Sequence, residues 1–408
     1  MRNVISAITY LLVGFSVILI LLIIFVHFKA QVFDRIPTEG DQRAETRDRS
    51  ENAGDSEDPE NPPPTDGSNP STYPVPSGNS GANLPDPVSY DGVLELPPNG
   101  ATGYASVEMN VYNDDMSAVL AVLKPGKGFM VLKENGLWWQ IFFKSESGSE
   151  IIGWVPHNLC LINLPDVIPS IIYDNTNAYG SVFRANEETI PNVTGKQLYS
   201  YSGRNDGKAY NERLGKYEYI VPVLYAMAPK IRAAQKYALE AGDTLVIYEG
   251  FRPYEVQQLV YSEVVALPSA QKNFGSWSQS WFIAYGKSNH QVGYAMDASL
   301  GRVLETQEKA AGRYKYQQLK YLEYAMPTAI HELSVRAALY ASSGSRTYSE
   351  GVKNCAPARS LQSYCISAGL TPLASEWWHF NDEAAHAGIT RESSGNFFVT
   401  ECFSAPPN

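Results

Sequence analysis

The sequence has no excess of positive charge, no C-x-x-C pair and no repeat at a fixed period. Each absence removes a class. Its 32 Lys and Arg against 43 Asp and Glu leave a net charge of −11, the opposite of the basic field that draws a protein to nucleic acid. Without paired C-x-x-C spacing, the four cysteines do not outline a zinc ribbon or finger. The missing repeat excludes a solenoid. What the chain does have is 44% apolar and 12% aromatic residues over 408 positions, enough for two or three folded domains. The acidity is local. Residues 39–95 hold thirteen acids against three arginines, so the remainder is close to neutral.

Residues 4–28 form an apolar run with no ionisable group except Tyr10 before His27. That is long enough to cross the hydrocarbon core of a bilayer, about 30 Å thick. The run passes into Lys29 without a small-x-small cleavage site, so an uncleaved single-pass anchor is expected within residues 1–35, in contact with lipid. Arg2 on one side and Lys29 with Arg35 on the other leave its orientation open. Residues 36–98 are rich in Pro, Gly, Ser, Asn and acids, and cannot bury enough apolar surface to offset chain entropy. They read as a disordered acidic spacer, partly extended by proline and charge repulsion.

Over residues 99–164 the pattern changes to short β-branched and aromatic runs, at 106–112, 129–132, 138–142 and 152–155, broken by Gly and Asn. This predicts a small all-β barrel. Met109-Asn110-Val111, Lys124-Pro125-Gly126, Trp138-Trp139 and Gly153-Trp154-Val155 resemble the bacterial SH3-like wall-binding domains. The resemblance implies a module that binds cell wall and has no chemistry of its own. Its Trp and Tyr side chains serve either as core or as stacking surfaces for sugar and peptide.

Residues 165–408 mix periods and predict an α+β domain. From 228 to 241 a helix is expected, with Pro229 in its first turn, Ile231, Ala234 and Ala238 on one face, and Gly242 at its end. Residues 244–248 then read as a buried strand ending at Glu249-Gly250-Phe251-Arg252-Pro253. A guanidinium at such a strand end is placed to hold an oxyanion or a substrate carboxylate.

His290, Asp297 and His379 supply the three ligands of a one-metal hydrolytic site, and Glu376 a carboxylate for the water proton. Gly293, between the first two, bends the backbone so that they need not lie on opposite faces of one strand. Glu376 sits among bulky aromatics, where desolvation raises a carboxyl toward the range of a useful base. His157 and His386 read as structural.

Ser288-x-His290-x6-Asp297 with Glu376-x-x-His379, preceded by Gly250-Phe251-Arg252-Pro253, resembles the zinc D,D-peptidases, which include the D-alanyl-D-alanine dipeptidases and D,D-carboxypeptidases. The likeness runs from Ile172-Tyr173 to Phe380. It implies one Zn2+ on His290, Asp297 and His379, Glu376 as general base and Arg252 stabilising the tetrahedral intermediate. Ser288 would hold the substrate carboxylate and Tyr173 would line its amine side. The chain departs from the dipeptidases at Met326-Pro327-Thr328-Ala329-Ile330-His331. His331 stands where they carry an acid for the free ammonium, which implies a substrate that is the end of a longer peptide. The fold family also resembles the hedgehog signalling domain.

Anchor, spacer and wall-binding module together place the catalytic domain outside the cell membrane, beside polymeric peptidoglycan. The expected activity is a D,D-carboxypeptidase trimming D-Ala from stem peptides, with D-Ala-D-Ala dipeptidase activity alongside. Two alternatives share these residues: an endopeptidase of the stem, and a non-catalytic zinc-containing wall-binding module. An exported location also makes a Cys355–Cys365 disulfide an expectation.

Overall fold

The computed structural model describes residues 88–90, 92, 94–174, 184–185, 188–189, 209–211, 213–266 and 277–407. The expected anchor at 4–28 and the spacer up to residue 87 lie outside them. No helix among the described residues is long and apolar enough to cross a membrane. The described residues fall in one compact unit, Asn79–Asn408.

The strands in chain order are β1 (Val88–Ser89), β2 (Thr102–Ala105), β3 (Met109–Tyr112), β4 (Val119–Leu123), β5 (Gly128–Asn135), β6 (Trp138–Lys144), β7 (Glu150–Pro156), β8 (Cys160–Asn163), β9 (Ile172–Tyr173), β10 (Arg184–Ala185) and β11 (Glu188–Thr189). They continue as β12 (Ala209–Asn211), β13 (Lys216–Glu218), β14 (Pro222–Leu224), β15 (Asp243–Glu249), β16 (Ala295–Ala311), β17 (Tyr314–Glu323), β18 (Thr371–Pro372) and β19 (His379–Asn381). The helices are α1 (Leu164–Val167), α2 (Ala228–Glu240), α3 (Tyr254–Ala266), α4 (Asn289–Val292), α5 (Glu350–Lys353), α6 (Ala356–Ser367) and α7 (Glu383–Ala387).

Two sheets organise these elements. The first is antiparallel, in the order β14-β8-β2-β5-β6-β7-β3-β4. Its alternating strands turn Phe129, Val131, Trp139 and Ile141 into the core. Trp139 and Trp154 fall on the structural side of the expectation, whereas Trp138 is half-buried. Trp139 is fully buried and donates to Glu134 at 3.0 Å, and Trp154, also buried, donates to Asp114 at 3.0 Å. The edge strand β14 comes from beyond residue 164, so the first sheet is completed by the segment that leads into α2.

The second sheet runs β1-β17-β16-β15-β9, with β19 paired to the start of β16 and β18 to β19. Helix α2 packs on α6 and on β15, burying Ile231, Ala234 and Ala238 as their spacing predicts. One core spans both sheets. Residues 94–98, read from composition as spacer, are buried with the fold: Leu94 joins this core, Leu96 packs in a second small cluster with Ala311 and Tyr316, and the Glu95 carboxylate accepts from Ser170 N at 2.9 Å. The C-terminal segment closes over the first sheet, with Ala405 N donating to Gly100 O at 2.9 Å and Thr400 N to Gly126 O at 3.1 Å.

The cysteines are free thiols. Cys355 stands at the N-cap of α6 and Cys365 near its other end. Ten helical residues separate Cα atoms by roughly 15 Å, whereas a disulfide needs about 4.4–6.8 Å. The expected bridge is therefore excluded by the helix that joins them.

Candidate active site

Register builds the floor of the site. Glu249 at the end of β15 is opposite Asp297 on β16, and Asp297 is opposite His379 at the start of β19. Three strands thus place a carboxylate, a carboxylate and an imidazole in one row, with neighbouring Cα atoms about 4.5–5.5 Å apart. A register shift between Ile247 and Glu249 brings Glu249 into this row.

His290 arrives from above on the short helix α4. That helix ends at Gly293, whose φ of 91° is left-handed, and a Cβ there would meet Leu161 Cδ2 at 2.5 Å. Only glycine makes this turn without strain or collision. Glu376 lies in the turn before β19. Trp377 and Trp378, both about 1% exposed, anchor that turn: Trp377 N donates to Ala337 O at 3.0 Å, and Trp378 O accepts from Ala298 N at 2.9 Å.

The donor atoms of His290, Asp297 and His379 converge. His290 Nε2 is 3.2 Å from His379 Nδ1 and 3.4 Å from Asp297 Oδ1, and His379 Nδ1 is 3.0 Å from Asp297 Oδ1. A tetrahedral zinc with bonds of about 2.0–2.1 Å would space its donors by roughly 3.3–3.4 Å. The proton positions agree. His290 Nδ1 donates to Gly250 O at 2.7 Å, and His379 Nε2 donates to Asn381 Oδ1 at 2.9 Å. In the neutral rings each facing nitrogen therefore carries a lone pair. Two lone pairs and a carboxylate directed at one point, all buried, form a set that a divalent cation satisfies.

Glu376 Oε2 stands 3.7 Å from His379 Nδ1. Burial pushes its carboxyl up to about 7, with Asp297 adding to the rise. Arg252 is locked in place: Nε donates to Glu249 Oε1 at 2.9 Å, Nη2 bonds the other Glu249 oxygen, and Nη1 donates to Gln257 Oε1 at 2.8 Å. Burial opposes ionisation of Glu249, yet the guanidinium fork holds it down at about 2. Asp297, also opposed by burial, is held well below the usual range by His290, His331 and His379.

All of these groups except Glu249 line a cavity of ≈ 360 Å³, together with Trp281, Phe282, Lys287, Ser288 and His331. Ser288 forms a capping box with Gln291 at the start of α4, and among the described residues its hydroxyl proton has no acceptor. Lys287 Nζ is held by Glu392 at 2.9 Å and Ser393 O at 3.3 Å.

One expected position falls elsewhere, and another lies in the cavity with its ring already engaged. Tyr173 does not line this cavity, because its hydroxyl donates to Ile168 O at 2.8 Å and is buried there. His331 lines the cavity but faces Asp297 Oδ2 at 3.1 Å and Glu249 Oε2 at 3.5 Å, and so is committed to two carboxylates. His157 packs against the contacting rings of Trp139 and Tyr225, and His386 stacks on Tyr294 at 4.2 Å; neither lines this cavity. Glu249, Gln257, Lys287 and Asn381 were not singled out from sequence. The one available signal was proximity, since Glu249 directly precedes the Gly-Phe-Arg-Pro turn and Asn381 lies two residues after His379 on the same strand face.

Residues 215–393 match the family model described as D-ala-D-ala dipeptidase. They form a domain of the D-Ala-D-Ala dipeptidase family. The match contains Arg252, Ser288, His290, Asp297, His331, Glu376 and His379, and begins after Tyr173. A search of curated proteins gave no match. Among solved structures, the chain is similar to a mutant of the vancomycin resistance D,D-pentapeptidase VanY from a VanB-type resistance cassette, in complex with Zn(II). That similarity is 17% identity over 51% of this chain and 92% of the other, with a TM-score of 0.21.

Proposed function

We propose that this D-Ala-D-Ala dipeptidase family domain is a zinc D,D-carboxypeptidase that removes the terminal D-Ala of peptidoglycan stem peptides and also accepts the free dipeptide. The observation that carries the reading is a desolvated carboxyl, Glu376, 3.7 Å from a convergent His-Asp-His donor set. His290, Asp297 and His379 would hold one zinc ion. When bound, it polarises the scissile carbonyl and acidifies water.

The protein groups do the rest. Glu376 takes the proton of the attacking water and returns it to the leaving amine, a transfer suited to a carboxyl raised toward neutrality. Arg252, immobilised by Glu249 and Gln257, presents a fixed positive charge at the cavity wall, where negative charge develops on the carbonyl oxygen. Ser288 and Lys287 offer donors to the substrate carboxylate, which favours cleavage at a chain end. His331, occupied by two carboxylates, leaves no acid of its own for a dipeptide ammonium. This supports a longer substrate.

Residues 4–28 anchor the chain in the cell membrane with the catalytic domain outside, and the β-rich module of residues 99–164 binds cell wall in the SH3-like manner. Both assignments rest on the sequence pattern. Steady-state rates on D-Ala-D-Ala and on a stem pentapeptide test the activity. A higher kcat/KM for the pentapeptide supports the carboxypeptidase, and turnover of the dipeptide alone would replace it with a dipeptidase.

A further inference from the structure

Asp297 uses its two oxygens in opposite directions. Oδ1 faces the metal-binding nitrogens, 3.0 Å from His379 Nδ1 and 3.4 Å from His290 Nε2. Oδ2 is turned away, 3.1 Å from His331 Nε2 and 3.5 Å from Arg252 Nη2. A carboxylate rotates easily about its last torsion, so something has to fix which oxygen faces the metal. Arg252 is poorly placed to do so alone, since its guanidinium is already forked onto Glu249. The shorter contact comes from His331.

The chain holds His331 there at a cost. Its φ of 58° is left-handed, a conformation that a residue with a Cβ seldom adopts. Such strain persists where surrounding contacts fix it, and the contacts are present: His331 O accepts from Arg184 N at 3.2 Å, Leu333 N donates to Arg184 O at 2.7 Å, and the Trp378 ring stands edge-on at 6.2 Å. The side chain is about 1% exposed. Glu249, Asp297 and His331 also bring ligand atoms close enough for a second metal. There, however, the Glu249 carboxylate is occupied by both arms of the Arg252 fork, and a second dication would sit against that guanidinium.

We infer that His331 is a positioning residue that keeps Asp297 oriented as a one-oxygen metal ligand, rather than a residue that touches substrate. This rests on the zinc reading of His290, Asp297 and His379. It gives the position a defined role: the contact made is to the metal ligand.

The test is zinc affinity of the full chain, measured by competition with a chelator, in His331→Asn and His331→Gln. Asparagine tolerates the left-handed backbone but is too short to place a donor where Nε2 stands, whereas the glutamine amide reaches it. His331→Asn should weaken zinc binding about 10–100-fold, as loss of an outer-shell partner does, and perturb the visible spectrum of the cobalt-loaded protein. His331→Gln should stay within about threefold of the parent, rescuing the contact. Unchanged zinc affinity in His331→Asn with a raised KM for peptide would make His331 a substrate residue and overturn the inference. So would two bound zinc equivalents in the parent with one lost in His331→Asn. If the parent bound no zinc, the metal reading itself would fail, a result separate from either of these.

Discussion

His290 Nε2 and His379 Nδ1 stand 3.2 Å apart while the opposite nitrogen of each ring donates to a fixed oxygen, Gly250 O and Asn381 Oδ1. Two imidazole lone pairs brought this close in a buried site repel unless a cation lies between them. Metal binding should therefore stabilise the fold. At zinc 100-fold above its Kd, mass action contributes about 2.7 kcal/mol, a rise in Tm of roughly 5–10 °C for a domain of this size. Melting curves with zinc and with chelator check this; coincident curves would contradict the metal site.

Asn381 sets the tautomer of His379, and its Oδ1 also accepts from Asn289 Nδ2 at 2.9 Å. Asn381→Leu should remove that orientation and weaken zinc binding about 10–100-fold with little change in secondary structure. Chelator competition and circular dichroism on the same sample measure both.

Gly395 supports the site from behind. Its φ is 65°, and a Cβ there would stand 2.2 Å from Gln291 Cβ, next to His290 on α4. Because backbone and neighbour both object, Gly395→Ala should destabilise the protein by about 1–3 kcal/mol and displace α4. Denaturant unfolding should show the loss, together with weaker zinc binding. A neutral substitution would mean that α4 is not fixed by the C-terminal segment.

Much of this site was legible because its chemistry lies in two short motifs. The Ser288-to-Asp297 stretch and Glu376-x-x-His379 carry ligand types and base within a few residues each, and the resemblance to the zinc D,D-peptidases, rather than spacing alone, implies their roles. The row Glu249-Asp297-His379 was not legible, since it depends on register between strands some 50 to 80 residues apart. Tyr173 failed for a related reason. On the two-residue strand β9 nothing in the sequence tells which way the side chain turns, and it turns to Ile168 O. The helix of 228–240 was legible from its periodic apolar face, whereas the burial of residues 94–98 inside an otherwise acidic, proline-rich stretch had no periodic signal.

The acid limb of the rate follows from Glu376. The carboxyl must be ionised to accept a proton, and burial raises it to about 7, so activity is lost as pH falls through that value. A bound dication favours the ionised form, which moves the limb below 7 in the zinc-loaded enzyme. A kcat/KM profile that rises with pH between about 5 and 7 is expected. One that falls over this range would remove Glu376 as base.

Lys287 should distinguish chain ends from internal bonds. Lys287→Met should raise KM roughly three- to tenfold for a peptide with a free carboxylate, a partly exposed charged hydrogen bond being lost. The same substitution should leave KM unchanged for the C-terminal amide. Equal effects on both would place Lys287 outside substrate recognition.

The most direct test compares zinc-loaded parent and Glu376→Gln on a stem pentapeptide, with products read by mass spectrometry and metal content measured in parallel. The account predicts release of one D-Ala by the parent, a kcat lower by about 10²–10⁴ in Glu376→Gln, and equal zinc in both proteins. Equal rates in the two proteins, or no cleavage by a zinc-loaded parent, would contradict it.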